Sequence, residues 1–444
     1  MWRRITRFHL CSLIVIFILA WYSYTFILLF YQDDKERLQI DTSRNSLEKL
    51  VKIVNLSGVK LFVIDPHRLF YSLNDEEKQL LLKRNFNLKK GSEGIITFGI
   101  FEEDGEKLDK VTLLLTKQNF RYSLIKDVDP NERIIQNLDV VLVKNVITHR
   151  FYTLRGYVIH VVTYFRRSNY LWHGKLSTLP ADVSHINAGE LQFGRHEGAF
   201  ESFQIEPFED DGIHYFAPKN KVYFLFELMT SRFLDCNFES TKNFMIRYRN
   251  ISVPDIQFGL EFIEDIKELK REFQPKLIPF WLVSGTLLGW YRQCSLIPYI
   301  YDIDFAAWIR DFDTSLIDQL TKSSVLLAAY GTPENSFQFV LMNKRLKVNL
   351  FFTYEEQSYF WYGKHTIEDG YSFKYVYPKF TLCSAELVYE KVLVPCNPEL
   401  IVTTEYGKNW MIPEPKGHSP LNIKDKKLWI VEQRTNAFLP KLEH

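Results

Sequence analysis

The stretch Trp281–Arg292 reads WLVSGTLLGWYR, and Asp302-Ile303-Asp304 follows shortly downstream. The pattern predicts a strand, a small-residue turn that begins a helix, and a second strand. Alternate residues of a strand point to the same side, so Asp302 and Asp304 are expected to bind one divalent cation, Mg²⁺ or Mn²⁺. The N–H groups at the start of a helix attract phosphate. Together the two features indicate nucleotidyl or phosphoryl transfer.

The residues of the turn also have an ordinary structural role. Ser284, Gly285 and Thr286 could form only a tight turn with a helix cap, which is the commoner use of such residues. Because these residues precede the acidic strand, phosphate contact is as well supported as the structural role. Arg292, at the end of the same helix, could bind a phosphate through two hydrogen bonds or simply balance the helix C-terminus.

Spacing alone does not select the acidic pair, because Asp127–Asp129 and Asp311–Asp313 have the same D-x-D spacing. Asp302–Asp304 differs because the apolar residues Phe305–Ala307 follow it. Two carboxylates at the start of a buried strand are costly without a cation beside them. This context favours metal binding over a solvated loop.

A third carboxylate is usual on a neighbouring strand of this architecture, and the chain has an amide there. The candidate strand is Leu346–Phe352, with Asn349 at its centre. An amide oxygen can bind a cation but cannot take a proton from an attacking hydroxyl. Glu355 and Glu356, just beyond the strand, are possible substitutes, although a solvent-facing role suits them better.

Composition describes a globular protein with room for two domains. The chain has 444 residues, of which 46% are hydrophobic and 25% are charged. Its formal net charge of +1 gives no global reason to expect nucleic acid as a partner.

The N-terminus predicts a single-pass membrane anchor. Leu10–Tyr31 contains no charged residue and would be about 33 Å long as a helix, which matches a bilayer core. Arginines precede the stretch and aspartates follow it, so the positive-inside rule predicts type II topology with everything after Tyr31 in the lumen. The alternative is a cleaved signal peptide, but no small-residue cleavage site follows the stretch.

A lumenal chain meets an oxidising environment, and its cysteines and glycosylation sequons agree with that. Asn55-Leu56-Ser57 and Asn250-Ile251-Ser252 are sequons. No C-x-x-C spacing points to a zinc site. Proximity in sequence favours the pair Cys383–Cys396. Three pairings are open to the four cysteines outside the span, which are Cys236, Cys294, Cys383 and Cys396.

The chain is predicted to contain a cytosolic tail at 1–9, the anchor at 10–31, a stem at 32–58, and two lumenal domains at 59–253 and 254–444. The first domain is predicted to be β-rich α/β, because short apolar runs alternate with turn residues. These runs are KLFVIDP, GIITFGIF, KVTLLL, LDVVLV and YVIHVVTYF. The Pro- and Lys-rich tail after Trp410 is predicted to be irregular.

The second domain is predicted to be a nucleotidyltransferase-like α/β catalytic domain. Its strongest element is an amphipathic helix with apolar residues at helical spacing. The predicted elements are, in order, helix Gln257–Phe273, strand Phe280–Val283, helix Leu287–Tyr291, strand Asp302–Ile309, helix Leu316–Thr321, and strands Phe337–Met342 and Leu346–Thr353.

Longer motifs resemble the fukutin family, within the LicD-like group of phosphosugar transferases. The resemblance covers the chain from the membrane anchor to the region around Trp410, and the motifs together are far more specific than any single one. The matching stretches are FWLVSGTLLGWYRQC (Phe280–Cys294), the Asp302–Asp304 strand, KYVYPKFTLC (Lys374–Cys383), SNYLWHGKL (Ser168–Leu176), LQFGRHEGAF (Leu191–Phe200) and Tyr406-Gly407-x-x-Trp410.

The resemblance implies a type II membrane enzyme of the Golgi, or of the endoplasmic reticulum. Such an enzyme transfers ribitol 5-phosphate from CDP-ribitol to a sugar of the O-mannosyl glycan of dystroglycan, alone or in a complex with related transferases. The family has Asp at the position of Asn349, where this chain departs from it. The resemblance assigns metal binding to Asp302 and Asp304, and substrate binding to Ser284, Gly285, Thr286, Arg292, Arg195 and Lys379.

Two alternatives stay open. With Asn349 in place of an acid, the chain could be a non-catalytic lumenal partner of a glycan-processing transferase or glycoprotein. A D-x-D glycosyltransferase that uses a nucleotide sugar would place its metal similarly, but it has no need of the Ser-Gly-Thr turn.

Overall fold

The structure is a computed structural model that describes Trp21 and residues 42–88, 94–129, 145–176, 178–184, 186, 191–249, 256–300, 302–323, 325–342, 346–366, 371–415 and 420–428. The predicted anchor, apart from Trp21, lies outside the described residues, and so do Asn250 and the predicted boundary between 253 and 254. Within the described part of the chain, no helix is both long enough and apolar enough to cross a bilayer.

The first half of the chain folds around one mixed sheet, in the α/β architecture that the sequence predicts. The strands run in the order β3-β4-β5-β2-β1-β9-β8, and β6 pairs with both β5 and β7. The strands are β1 (Phe62–Val63), β2 (Ile95–Phe101), β3 (Arg121–Val128), β4 (Asn145–Leu154), β5 (Tyr157–Arg167), β6 (Tyr170–His173), β7 (Gly198–Glu201), β8 (Ile205–Asp210) and β9 (Ile213–Pro218). The helices are α1 (42–56), α2 (Pro66–Tyr71), α3 (Asp75–Lys83), α4 (Gly105–Lys117), α5 (Lys221–Leu228) and α6 (Phe238–Arg247).

Two elements of this half differ in role from the sequence interpretation. Helix α1 covers part of the predicted stem, yet Leu47, Leu50 and Val54 on it are buried in the first core. The run KVTLLL, predicted as a strand, lies in α4, and that prediction is wrong. Leu108, Val111 and Leu115 are buried at helical spacing there, while Leu113 and Leu114 between them are exposed. The run LDVVLV lies outside the described residues.

The second half folds around an eight-stranded sheet in the order β10-β11-β14-β15-β16-β19, with β13 also on β14 and β12 on β13. Strands β17 and β18 form a separate hairpin. The strands are β10 (Phe280–Leu282), β11 (Asp302–Trp308), β12 (Leu326–Thr332), β13 (Asn335–Met342), β14 (Lys347–Glu355), β15 (Tyr359–Thr366), β16 (Tyr371–Pro378), β17 (Leu382–Leu387), β18 (Glu390–Pro395) and β19 (Ile423–Leu428). The helices are α7 (Ile256–Phe273), α8 (Ser284–Gln293), α9 (Ser315–Lys322) and α10 (Pro398–Tyr406).

Every helix and strand predicted between Gln257 and Thr353 is present within a few residues of its expected bounds. The amphipathic helix α7 buries Phe262, Ile266 and Phe273 in the second core, as its spacing predicts. The tail is a correction, because β19 adds a strand to the sheet beside β16 where irregular structure was predicted. A strand at the edge of a sheet can form without a regular alternation of apolar and polar residues. The sequence therefore gives little signal for β19.

The two halves are joined by buried ion pairs. Lys391 of β18 is 2.9 Å from Glu227 of α5, and Lys270 of α7 is 2.9 Å from Glu201 of β7. A further pair joins Arg84 and Asp311 at 3.0 Å. The two halves therefore share an interface that contains charges from both sides.

The cysteines form two disulfides, Cys236–Cys294 and Cys383–Cys396. The second is the pair that sequence proximity favours, and it links the start of β17 to the end of β18. The first connects the segment before α6 to the end of α8, across 58 residues.

Candidate active site

The structure brings Asp302, Asp304 and Asn349 together on two parallel strands. Strand β11 pairs with β14 so that Asp304 lies directly opposite Asn349. The side-chain amide Nδ2 of Asn349 donates to Asp302 Oδ2 at 3.1 Å and to Asp304 Oδ1 at 2.9 Å. The three side chains thus form one polar cluster at the beginning of a buried strand.

The Ser284–Thr286 turn is the first turn of α8 and is anchored directly to the acidic strand. The backbone N–H of Asp304 donates to the Thr286 hydroxyl at 2.9 Å, and the N–H of Val283 donates to the Asp304 carbonyl at 3.1 Å. No side chain caps the start of this helix. The positive end of the helix dipole is therefore held beside the two carboxylates, where a phosphate would be attracted.

Ser284 is held in an unusual conformation by a chain of buried hydroxyl groups. Its φ is +46°, which is left-handed backbone and costs about 1–3 kcal/mol for a non-glycine residue. The Ser284 hydroxyl is 2.8 Å from the Tyr362 hydroxyl, which is 2.8 Å from that of Tyr377. Tyr377 in turn donates to Glu405 Oε2 of α10 at 2.8 Å. This chain fixes the first residue of the phosphate-binding turn.

Lys364 of β15 is a site residue that the sequence analysis missed. Burial by itself lowers the pKa of Lys364, but the charges of Asp304, Asp302 and other neighbours outweigh it and raise the pKa. The Nζ atom lies 5.9 Å from the centre of the Phe351 ring, and Phe351 is two residues from Asn349 on β14. A permanent cation therefore lies close to the acidic pair.

Asp304 is the more buried acid of the pair, with 6% of its surface exposed. Burial raises its pKa, and the charge of Asp302 raises it further. The charge of Lys364 and the hydrogen bond from Asn349 act in the opposite direction. The negative charge of the cluster is thus only partly compensated by neighbouring groups of the protein.

The donor set suits a hard divalent cation whose coordination is completed by the substrate. Two carboxylates share a single amide donor, and carboxylate oxygens are the ligands that Mg²⁺ and Mn²⁺ prefer. Among the described residues, no group of three or more His, Cys, Asp or Glu side chains could hold a metal. That result follows from Asn349, because an acid at its position would complete such a group.

Arg292 lies away from the phosphate-binding turn. It is near the end of α8, so the rise of the helix separates it from Ser284 by about 12 Å. Its guanidinium lies over the Phe244 ring at 4.8 Å and donates to Gln293 Oε1 at 3.0 Å. Burial lowers the pKa of Arg292. The arginine therefore packs against α6 instead of facing the start of its own helix.

The remaining sequence candidates lie outside the cluster. Lys379 Nζ pairs with Glu355 Oε1 at 2.8 Å, and Glu355 is at the opposite end of β14 from the acids. Glu356 accepts a hydrogen bond from Trp361. Arg195 is exposed in the segment before β7, in the first half of the chain.

The other D-x-D motifs have structural roles. Asp127 accepts a hydrogen bond from the N–H of Val128 on strand β3. Asp311 pairs with Arg84 of the first domain, and Asp313 accepts from the N–H of Ser315 at the start of α9. Neither pair shares the amide contact that joins Asp302 and Asp304.

Two protein families match this chain. The "Fukutin N-terminal" family matches residues 10–262, and the "LicD/FKTN/FKRP, nucleotidyltransferase domain" family matches residues 277–397. The chain is 30% identical over 417 residues to the ribitol-5-phosphate transferase FKTN of Mus musculus, which covers 88% of this chain and 87% of the relative. The Homo sapiens protein of the same name is 29% identical over 418 residues, or 89% of this chain and 88% of the relative. An uncharacterized protein, W02B3.4 of Caenorhabditis elegans, is 29% identical over 188 residues, or 38% of this chain and 48% of the relative.

The fold and the site define a protein with a LicD-type nucleotidyltransferase domain behind a second α/β domain. With the N-terminal match extending over more than half of its length, the chain belongs to the fukutin family.

Proposed function

We propose that this protein transfers ribitol 5-phosphate, or a related polyol phosphate, from CDP-ribitol to a sugar hydroxyl of an O-mannosyl glycan on a dystroglycan-like glycoprotein. The observation that carries the proposal is the attachment of the phosphate-binding helix start to Asp304 through Thr286. The relatives named ribitol-5-phosphate transferase, which align over most of the chain, support the choice of donor.

In the proposed reaction, an acceptor hydroxyl attacks the distal phosphorus of the donor. A bond forms between the hydroxyl oxygen and phosphorus, and the bond from phosphorus to the bridging oxygen breaks. CMP leaves and a phosphodiester remains. Asp302, the more exposed of the two acids, takes the hydroxyl proton, since Asn349 cannot.

Positively charged groups of the chain stabilise the phosphates of the donor. The N–H groups at the start of α8 bind the diphosphate, and Ser284 is fixed there through Tyr362. Lys364 neutralises charge that develops on the leaving group. Asp302 and Asp304 would hold Mg²⁺ or Mn²⁺, which supplies further neutralisation of the diphosphate when bound.

The decisive experiment is incubation of the purified protein with CDP-ribitol and a phosphorylated O-mannosyl acceptor, followed by mass spectrometry. A mass gain of one pentitol phosphate is expected. A gain of a hexose with a nucleotide sugar would instead support a D-x-D glycosyltransferase. No gain with either donor would favour the non-catalytic partner that Asn349 suggests.

The acidic pair gives a matched test of the site. Asp304→Ala should abolish transfer without loss of folding, since removal of one carboxylate also relieves repulsion with Asp302. Asp127→Ala changes a D-x-D acid on strand β3 and should leave the rate unchanged. Equal losses in the two variants would show that the site is misplaced.

We also propose a single-pass type II membrane protein of the Golgi with both domains in the lumen. The uncharged stretch at 10–31, the basic residues before it and the two disulfides support this arrangement. Asn55 is exposed, and its Nδ2 donates one hydrogen bond to the His214 carbonyl at 3.0 Å. Glycosidase treatment should increase the gel mobility of the parent but not of an Asn55→Gln/Asn250→Gln variant. An unchanged parent would contradict lumenal topology.

A further inference from the structure

A cavity lies where the two halves of the chain meet, apart from the acidic cluster. It has a volume of about 430 Å³, within the range of small-molecule sites. Arg167, Phe233 and Asp235 line it from the first half, and Phe258, Glu386 and Tyr389 line it from the second. Neither the proposed reaction nor the family resemblance uses these residues.

Arg167 is a buried cation with one nitrogen left over. Its side chain is 2% exposed, with Nε 2.9 Å from Glu386 Oε2 and Nη2 2.8 Å from Asp235 Oδ1. Its guanidinium also lies over the Phe233 ring at 4.8 Å. The remaining nitrogen, Nη1, is buried and has no hydrogen-bond partner among the described residues. Buried donors without a partner are rare in native proteins, and this one belongs to a residue that lines the cavity.

A strained turn holds an aromatic side chain at the same cavity. Val388 and Tyr389, between β17 and β18, have φ values of +48° and +64°. Turns with two positive φ values favour Asn and Gly, and a β-branched residue there is an outlier. Tyr389 is nevertheless 63% exposed, so burial does not explain its presence. A strained β-branched residue beside a cavity motivates a functional hypothesis for that cavity.

The charge of the cavity selects the class of ligand. One arginine faces two carboxylates, so an anionic ligand would meet net repulsion while a neutral one would not. Hydroxyl groups can accept from a guanidinium and donate to carboxylates, and apolar C–H faces pack on aromatic rings. A neutral sugar ring combines these properties. A fatty acid or a phosphate does not.

We propose that this cavity binds a neutral sugar unit of the acceptor glycan. Its residues Cys294 and Leu296 lie just beyond the end of α8, whose other end is the phosphate-binding turn about 15 Å away. An extended oligosaccharide could therefore occupy the cavity while its end reaches the acidic cluster. The assignment of the sugar to the acceptor rests on the proposed function, but the binding itself does not.

The test measures binding without any donor, so its outcome is independent of transferase activity. Saturation-transfer NMR on the full-length protein would use mannobiose and N-acetyllactosamine as neutral probes, with mannose 6-phosphate and decanoate as comparators. Neutral disaccharides should receive saturation and the comparators should not. No transfer to either disaccharide, or stronger transfer to a comparator, would overturn the proposal.

Two substitutions at positive φ make a matched pair. Tyr389→Gly removes the ring but relieves backbone strain, so it should raise the Kd for the disaccharide about tenfold without lowering thermal stability. Asp211→Gly relieves a φ of +51° in the turn between β8 and β9 and should leave the Kd unchanged. Equal affinity in parent and Tyr389→Gly would overturn the site.

A second variant changes the cavity from another side. Leu260→Trp on α7 places a larger group at the cavity wall from an exposed position and should also weaken binding. Leu113→Trp on α4, at an exposed position outside this cavity, is its control and should bind as the parent does. Unweakened binding by Leu260→Trp would count against the cavity as the binding site.

Discussion

Asn349 and Asp304 are joined across two parallel strands, with 2.9 Å between the amide Nδ2 and the carboxylate Oδ1. The same Nδ2 also donates to Asp302. The amide thus offers partial positive charge between two acids, where a third carboxylate would have added negative charge. The two hydrogen bonds from Asn349 hold the three side chains of the cluster together.

Asn349→Asp tests whether the chain is an active enzyme or an impaired descendant of one. We expect an active parent and little gain in the variant, because the third charge adds repulsion against the donor phosphates. Transfer rates with one donor, measured for both proteins, decide the matter. Asn335→Asp, at the exposed first position of β13, controls for a general effect of added charge.

A silent parent with an active Asn349→Asp variant would establish the non-catalytic partner instead. A base restored there is typically worth about 10²–10⁴-fold in rate.

Lys364→Met should lower the transfer rate at saturating donor by about 10²-fold, because a preorganised cation near the diphosphate is lost. Rates and donor KM for parent and variant measure this. Lys374→Met on β16 removes a lysine that stacks on Trp361 at 4.1 Å, and it should leave the rate unchanged. Parent-like rates in Lys364→Met would remove the lysine from the mechanism.

The first domain should lose stability in mild acid because of three buried histidines. Burial lowers the pKa of His149 to about 4 and that of His173 to about 3, and it also depresses the pKa of His160. Below the unfolded value of about 6.5, the unfolded chain binds protons that the folded chain cannot. Stability is therefore complete above that pH and falls towards pH 4, by about 2 kcal/mol per histidine between pH 7 and pH 5.

Urea unfolding at a series of pH values measures this loss. His160→Phe should reduce the loss by about a third, because one of the three groups no longer titrates. His214→Phe, on an exposed strand position, should not reduce it. A stability that stays constant from pH 7 to pH 5 would contradict the prediction.

Loss of the long-range disulfide should cost more stability than loss of the short one. Cys236–Cys294 closes 58 residues and Cys383–Cys396 closes 13. Loop-closure entropy then predicts losses of about 4 and about 3 kcal/mol for the paired alanine variants. Equilibrium unfolding of the two double variants against the parent gives both values. A larger loss for Cys383→Ala/Cys396→Ala would reverse the expected order.

The helices and strands of the second domain could be predicted because their apolar residues recur at regular spacing. Helix α7 and strands β11 and β14 have regular apolar patterns, and Asn349 could be identified because it interrupts one of them. The strand predicted for KVTLLL was wrong because consecutive apolar residues suit a buried strand and a helix equally well.

Tertiary placement explains the site residues that sequence reasoning missed or misplaced. Lys364 follows four aromatic residues and Gly363 in β15, and nothing in that local sequence links it to the acidic pair. Only the packing of the sheet brings its charge close to the acids. Because Arg292 and Ser284 lie in one motif, the sequence predicts that both contact the same phosphate. The length of the helix separates them.

Each half of the molecule provides the counter-charge for buried groups of the other half. Lys391 of the second half is paired there with Glu227 and Glu201 of the first. A charge buried at such an interface is stable only while its counter-charge stays in place, and removal of one partner is far more costly than removal of both. A missense change at Glu227 would therefore reduce how much protein matures instead of how fast each molecule works. Substitutions at this interface between the two halves would therefore lower the amount of folded protein in the cell. Each molecule that folds would still have an intact catalytic centre.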